Sequence, residues 1–475
     1  MISRRKTLTA LWDVWRAGRE GAQGVLARQQ DRLQSLIAYS RTHSRLYKNL
    51  YRHLPTEINQ LTDLPPVTKP ELMAHFDEWV TDPHVHYDAL KAYIADPALI
   101  GVPYLGRYTV WRTSGTTGSP GVFLHDGDAL AIYTALLLLR GYLSWISTPG
   151  EWWRLIRRRW RASFIYATNG HFAGITFATL VNKLRSGSSQ LPAGISAHLP
   201  LPDLVNTLNA TNPPILSTYP SIVEMLMSEQ ASGRLKIKPD LIATGGEGLK
   251  ALVKEQAANI FHCKVVDTYA ASEFMGIAFS CACGRLHLNS DWVILEPVDA
   301  DCHPIEPGNP PHSVLLTNLA NRIQPTIRYQ LGDSVSFYPD PCPCGSPLPT
   351  ISVEGRNDEI LAFESPTGTQ VNIPPLPLEL IVMVIAGVKR FQLIQTGART
   401  LKVRLETQCD ADSTQVWQVV LDRLREYFDS QGLASVALER SSEPPLQHAV
   451  SAKLRHVYSE WRTIHHDLNA GVPAL

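Results

Sequence analysis

The sequence predicts an α/β protein of two domains. A large N-terminal domain of layered sheets and helices spans residues 1–356, with residues 1–70 as a helical lead-in. A small α+β C-terminal domain spans residues 357–475. Three observations predict this. Short β-rich runs alternate with helical ones between residues 100 and 355. A length of 475 residues, 44% of them hydrophobic, exceeds what one core serves. After residue 357 the chain carries an α/β pattern of its own, beyond a Pro-, Cys- and Gly-rich stretch at 338–350.

The elements follow in order. Leu8, Leu11, Val14 and Trp15 fall at helical spacing, as do Leu33, Leu36 and Ile37, so residues 1–52 read as helical. Pro65 and Pro66 break the chain. Thr68 is an N-cap for a helix that starts near Pro70. Helices are expected at 126–142, 202–211, 220–230 and 248–261. Strands are expected at Ile215–Ser217, Leu241–Thr244, Lys264–Asp267 and Val314–Asn318. In the C-terminal domain Arg390–Thr396 and Leu401–Glu406 read as strands, and Ser413–Gln431 as an amphipathic helix.

Charge narrows the function classes. Lys plus Arg and Asp plus Glu both number 44, so global charge gives no support to a nucleic-acid or acidic-membrane partner. Arg154, Arg157, Arg158, Arg159 and Arg161 cluster among Trp152, Trp153 and Trp160; the reading favoured here is a solvated, partly alternating strand or a surface for an anionic substrate tail. The apolar run Ala129–Leu139 is short of the roughly 20 residues that span a bilayer. Asp13 and Arg16 interrupt the apolar stretch after Arg4, Arg5 and Lys6, which disfavours a secretory signal. A cytoplasmic protein is the expectation.

Residues 113–121 read Thr-Ser-Gly-Thr-Thr-Gly-Ser-Pro-Gly. Gly115 and Gly118 let backbone N–H groups approach an anion, and Ser114, Thr116 and Thr117 add hydroxyl donors. Such a loop can wrap a triphosphate without a lysine of its own; no Gly-Lys-Ser/Thr follows, so it is not a Walker A loop. Gly245-Gly246-Glu247 lies between an expected strand and an expected helix, where two glycines open space for a ligand. Asp267 to Glu273, Arg328 to Asp333, and Gly355-Arg356-Asn357-Asp358 follow, with Ser451-Ala452-Lys453 near the C-terminus.

Seven cysteines make an odd count, unlike a secreted disulfide framework. Cys281-Ala-Cys283-Gly and Cys342-Pro-Cys344-Gly each put two thiolates on a tight turn, with His287 close by. Four soft ligands on two knuckles suit a structural, tetrahedral Zn²⁺. Three cysteines plus His287 form an alternative set, and reduced thiols or a redox pair remain open as readings.

The ordered set of motifs resembles the adenylate-forming superfamily, which includes acyl-CoA synthetases and nonribosomal-peptide adenylation domains. The Leu64-Pro65-Pro66-Val67-Thr68-Lys69 segment, the Tyr219-Pro220-Ser221 turn and the Cys-rich insertions narrow it to the phenylacetate–CoA ligase-like branch, which includes capsule-biosynthesis adenylating proteins. The similarity runs from about residue 30 to 460. It implies an ATP- and Mg²⁺-dependent, AMP-forming acid–thiol ligase: a carboxylic acid becomes an acyl-adenylate and passes to coenzyme A. The alternatives are transfer to an amine or a carrier-protein thiol, or a nucleotide-binding scaffold without turnover. By the same resemblance, Ser114, Gly115, Thr116, Thr117 and Gly118 hold phosphates, and Gly245, Gly246, Glu247 and Ser272 border the nucleotide. Tyr269 stacks on adenine, Glu273 helps hold Mg²⁺, Asp333 binds ribose and Arg356 reaches ribose or phosphate. Lys453, delivered by a small mobile domain that pivots at Asp358, acts with Glu273 and Thr117 in catalysis. Two departures stand out: Ala270 replaces the usual glycine, and the loop ends in Pro120-Gly121 rather than Pro-Lys. Phe164 to Gly174, including His171, and the Tyr219 turn are expected to line the acyl pocket. The resemblance also allows a homodimer.

Overall fold

The computed structural model describes residues 4–58, 60–113, 120–168, 170–184, 194–305, 311–356, 361–373, 375–447 and 454–461. The chain divides into two compact units, one of residues 1–331 and 335–353, the other of residues 332–334 and 354–475.

The first unit opens with helices α1 (Arg4–Arg19), α2 (Gly21–His43) and α3 (Arg45–Leu50). Ala10, Val14, Leu36, Ile37 and Tyr47 turn inward from them into the main core. Then come α4 (Lys69–Ala74), α5 (Phe76–Trp79) and α6 (Tyr87–Ala95). Thr68 caps α4 in a reciprocal box with Glu71, as the Thr-Lys-Pro-Glu sequence predicts. A hairpin of β1 (Thr109–Arg112) and β2 (Val122–His125) leads into α7 (Gly127–Leu136). Beyond α7 the chain widens to a π-helical turn at Leu137–Tyr142, so the helix expected at 126–142 is α-helical only in its first part.

Helix α8 (Pro149–Arg157) carries Arg154 and Arg157, which corrects the strand expected there. The Thr148-Pro-Gly-Glu151 capping box starts a helix, and this local signal outweighs the loose alternation of Trp and Arg.

The large sheet follows. Its strands are β3 (Ala162–Tyr166), β4 (Ile195–Ser196), β5 (Ile215–Thr218), β6 (Leu241–Gly245) and β7 (Lys264–Tyr269), then β8 (Ala278–Ser280) and β9 (Leu286–Leu288). The connecting helices are α9 (Ala173–Leu184), α10 (Leu201–Thr211), α11 (Pro220–Ala231) and α12 (Ala251–Phe261). Later strands are β10 (Val293–Val298), β11 (Ser313–Asn318), β12 (Thr326–Gln330), β13 (Asp333–Phe337) and β14 (Thr350–Arg356). The nine-stranded order is β13-β14-β9-β8-β7-β6-β5-β3-β4. Strands β4, β3, β5, β6 and β7 run parallel, as βαβ connections require, and β7, β8, β9 and β14 pair antiparallel. Thus five carboxyl ends lie along one edge, where open α/β sheets bind ligands. Strands β10, β11 and β12 form a separate antiparallel sheet.

The second unit contains a hairpin of β15 (Leu361–Glu364) and β16 (Gln370–Ile373), then α13 (Pro375–Met383). Strands β17 (Val388–Gly397) and β18 (Thr400–Thr407) pair antiparallel; α14 (Ser413–Ser430), β19 (Ala437–Arg440) and β20 (Val457–Ser459) complete it. Its sheet order is β19-β18-β17-β20. Val416, Val420, Leu424 and Phe428 of α14 pack on Phe391, Leu393, Leu401 and Val403, the amphipathic face expected from the sequence. Among the described residues no helix is long and apolar enough to cross a membrane.

Candidate active site

The site is built on the carboxyl edge of the parallel strands. Thr218 of β5 pairs with Thr244 of β6, and Gly245 of β6 with Thr268 of β7. The turns after these strands hold Tyr219, Gly246-Glu247 and Tyr269 to Glu273, so the register brings together motifs far apart in sequence. Gly246 sits at φ +81°, a left-handed conformation, while a Cβ on Gly245 would lie 3.1 Å from the Thr268 carbonyl. Gly246 therefore needs glycine for its backbone conformation, and Gly245 is tight against the neighbouring strand.

Glu247 joins two of these turns. Its carboxylate accepts hydrogen bonds from the Ser221 N–H and hydroxyl, both at 3.0 Å. Ser221 lies in the first turn of α11, whose positive end suits a carboxylate. Beside it, Tyr219 packs edge-on against Tyr166, and Tyr166 shares a 2.8 Å hydrogen bond with Ser217. Burial holds both phenols above their ordinary pKa, so they stay protonated at neutral pH.

The segment after β7 is anchored by residues that the sequence reading did not assign. The Ser272 carbonyl accepts from Trp111 Nε1 at 2.5 Å and from His125 Nε2 at 3.1 Å. A carbonyl can only accept, so His125 carries its proton on Nε2 and its Nδ1 accepts from the Tyr133 hydroxyl at 3.1 Å. Asn318 donates both to Tyr133 Oη and, at 2.7 Å, to the Glu273 carbonyl. Burial drives the His125 pKa down to about 3, so the ring is neutral throughout this chain of bonds. Glu273 itself is buried. Two residues before β7 ends, Asp267 accepts from Thr244 Oγ1 at 3.1 Å; burial pushes its pKa up to about 6 against the pull of that bond and of Lys254.

The base of the 113–121 loop is closed by Thr113 and Gly121, which exchange hydrogen bonds of 2.9 Å and 2.8 Å. Arg112 N–H donates to the His171 carbonyl at 2.7 Å, tying the loop base to the chain after β3. Trp111 ties it to the chain after β7. Ser114, Gly115, Thr116, Thr117 and Gly118 lie outside the described residues. Two buried polar atoms at this junction, Arg112 Nε and His171 Nδ1, have no partner among the described residues. His171 Nε2 donates to the Asp96 carbonyl at 2.9 Å, which leaves the Nδ1 lone pair available to a ligand donor.

Asp333 opens β13 and is buried. The backbone of Arg356 ends β14; its side chain, Asp358 and Lys453 lie outside the described residues.

The cysteine knuckles meet within the first unit. The ligand atoms of Cys281, His287, Cys342 and Cys344 all lie within 4.8 Å of one another. Cys281 and Cys342 sulfurs are 3.6 Å apart, and Cys344 Sγ is 3.2 Å from His287 Nε2. His287 Nδ1 donates to the Leu348 carbonyl at 3.1 Å, which turns an unprotonated Nε2 toward the sulfurs. The geometry therefore groups His287 with three cysteines; Cys283 is exposed, its thiol beside Cys281 and Cys342. The donor set is that of a tetrahedral Cys₃His zinc site.

Residues 107–305 match the family model described as AMP-binding enzyme. No curated protein matches the sequence. Among solved structures, the chain is similar to 2-hydroxyisobutyryl-CoA ligase in the postadenylation state in complex with R3-HIB-AMP. The identity is 18%, over 95% of this chain and 92% of that one, with a TM-score of 0.65. The same ligase with 2-HIB-AMP and CoA in the thioesterification state matches at 19% identity over 95% and 92%, TM-score 0.53. Its open conformation with 2-HIB-AMP and CoA matches at 18% over 92% and 90%, TM-score 0.55. The fold is thus that of the adenylate-forming ligases, with a C-terminal domain.

Proposed function

We propose that this protein activates a carboxylic acid with ATP and transfers the acyl group to coenzyme A. In the first step a carboxylate oxygen attacks the α-phosphorus, the bond to the β-phosphate bridge breaks, and pyrophosphate leaves. In the second the thiol sulfur attacks the acyl carbon, its proton passes to solvent, and AMP departs with the bonding pair. One observation carries this reading: Trp111 and Arg112 fasten the base of the Ser/Thr/Gly loop to the chain after β7 and after β3, on the carboxyl edge of a parallel sheet. The match of residues 107–305 to AMP-binding enzymes supports it.

In this reading the loop residues 114–118 wrap the phosphates. Tyr269 stacks on adenine beside Gly245 and Gly246, and Asp333 holds ribose with Arg356. Glu273 would help hold Mg²⁺, which would offset phosphate charge. Lys453 stabilises the negative charge that develops at the α-phosphate. The phenylacetate–CoA ligase-like branch is favoured by the 64–69 segment, which here bonds to β12 through Val67 N–H to Arg328 and Gln330 N–H to Val67. Cys281, Cys342, Cys344 and His287 hold a structural zinc ion.

Pyrophosphate release from ATP and Mg²⁺ across a panel of aryl and aliphatic acids, with and without coenzyme A, tests the reading. The expected result is acid-dependent release that coenzyme A accelerates. Acid-dependent release that ignores coenzyme A would transfer the acceptor role to an amine or a carrier thiol. ATP binding without release under any acid would overturn the enzyme reading in favour of a scaffold. Lys453→Ala should cut adenylation by roughly 10²-fold or more while sparing thioester formation from supplied adenylate; equal loss in both half-reactions would refute that role.

A further inference from the structure

The adenylation chemistry makes no use of the outer face of α1. The inner face buries the small side chains Ala10, Val14 and Ala17. The outer face presents Leu8, Trp12 and Trp15, exposed by 67%, 60% and 43%. Their spacing places them on one stripe. The two indoles stack 5.0 Å apart, and the Arg19 guanidinium lies 4.3 Å from the Trp15 ring centre.

This stripe is set in positive charge although the whole chain is neutral. Helix α1 carries Arg4, Arg5, Lys6, Arg16 and Arg19 against the single acid Asp13, with Lys6 paired to Asp128 of α7 at 2.9 Å. Asp13 is engaged by Arg28 and Arg32, and Glu20, just beyond the helix, by Arg16 and Arg28. Arg4, Arg5 and Arg19 make no ion pair among the described residues.

We propose that the outer face of α1 seats the protein on an anionic lipid bilayer. The helix would lie in the headgroup region without crossing it. Tryptophan rings favour the membrane–water interface. Arginine stems lie along apolar surface while their heads reach phosphate. The cations supply the charge complementarity to an acidic leaflet. Nucleic acid would match the charge but give exposed Leu8 no apolar partner. A symmetric contact between two copies through α1 would set like charges against each other.

Flotation of the full chain with vesicles tests this. Binding to phosphatidylcholine vesicles containing roughly a quarter phosphatidylglycerol should exceed binding to pure phosphatidylcholine by about tenfold, and salt should weaken it. Trp12→Ser with Trp15→Ser should lower it by about tenfold. Arg4→Glu with Arg5→Glu should remove the preference for anionic vesicles. All of these side chains are exposed, so circular dichroism and pyrophosphate release should be unchanged. Equal binding to neutral vesicles, or binding that survives the Trp12 and Trp15 changes, would overturn the proposal. So would an effect of those changes confined to sedimentation as a dimer, or tighter binding to duplex DNA than to vesicles.

Discussion

The segment 269–273 and the knuckle at 281–287 leave neighbouring strands of the same sheet, β7 and β8. They are held by opposite means. The first is closed by the protein itself: Trp111, His125 and Asn318, from β1, β2 and β11, bring neutral donors to the carbonyls of Ser272 and Glu273. Trp111, His125, Tyr133 and Asn318 are buried and hydrogen-bonded, so the turn that carries Glu273 is set before any ligand arrives. The knuckle gathers three sulfurs and an imidazole nitrogen within 4.8 Å, atoms that make only weak bonds to one another. We propose that a soft cation joins them, so that hydrogen bonds preorganise one region and a metal the other.

The largest effect should come from removing that metal. The purified protein should hold about one zinc ion per chain. Stripping it, or Cys342→Ser, should destabilise the first unit by about 4 kcal/mol or more, as loss of a structural metal does. Thermal unfolding with and without a strong chelator measures this. Cys283→Ser should cost far less, because in the proposed site His287 takes the fourth position. Equal losses for the two serine variants would restore Cys283 as the ligand and break the contrast drawn here.

A second, smaller effect is read by pH on the hydrogen-bonded side, where Asp267 and His125 are buried. The folded pKa of Asp267, about 6, lies above its unfolded value. The folded state therefore holds the proton more tightly. This contribution is present below about pH 4 and is lost as pH rises through 6. His125 has the opposite sign: its folded pKa of about 3 lies below the unfolded value, so stability is lost as pH falls from about 6.5 toward 3. Asp267→Asn keeps an acceptor for Thr244 and removes a buried ionisation. At pH 8 it should stabilise the protein by up to about 3 kcal/mol, with little effect near pH 4. An unchanged Tm at pH 8 would mean that Lys254 fully compensates the charged form.

These contrasts mark what the sequence could and could not reveal. Local periodicity located α1–α4, α10–α12, α14 and the strands β5, β6, β7, β11, β17 and β18, because amphipathic spacing and caps such as Thr68 act over a few residues. The alternation of Arg and Trp before Arg161 misled, since a capping box at Thr148 decides that segment. Motif order pointed to Gly245, Glu247 and Tyr269, and the parallel register then brought them to one edge. Trp111, His125, Tyr133 and Asn318 had no such signal: each is an ordinary residue in its own strand or helix, and only pairing across 161 residues between Trp111 and Ser272 gives it meaning. His287 was visible as a nearby imidazole, but its selection over Cys283 depends on the Leu348 carbonyl that turns the ring.

His125 gives the finest test of the preorganised region. The ring stacks on Trp111 with centroids 4.1 Å apart and bridges Tyr133 to Ser272. His125→Phe keeps the stack and much of the volume but removes a donor and an acceptor. Ser272 retains Trp111, and Tyr133 Oη still accepts from Asn318, but the Tyr133 O–H loses its acceptor. The expected cost is about 2 kcal/mol, that of one unsatisfied buried donor without a large cavity. The variant should also lose stability less steeply between pH 6.5 and 3, because no buried imidazole resists protonation. If the chain of bonds positions the turn, KM for ATP should rise with stability corrected for, and His125→Gln, which can restore one bond, should recover part of it. A stability loss with unchanged KM would make His125 a packing residue, and the 269–273 segment would then owe its geometry to Trp111 and Asn318 alone.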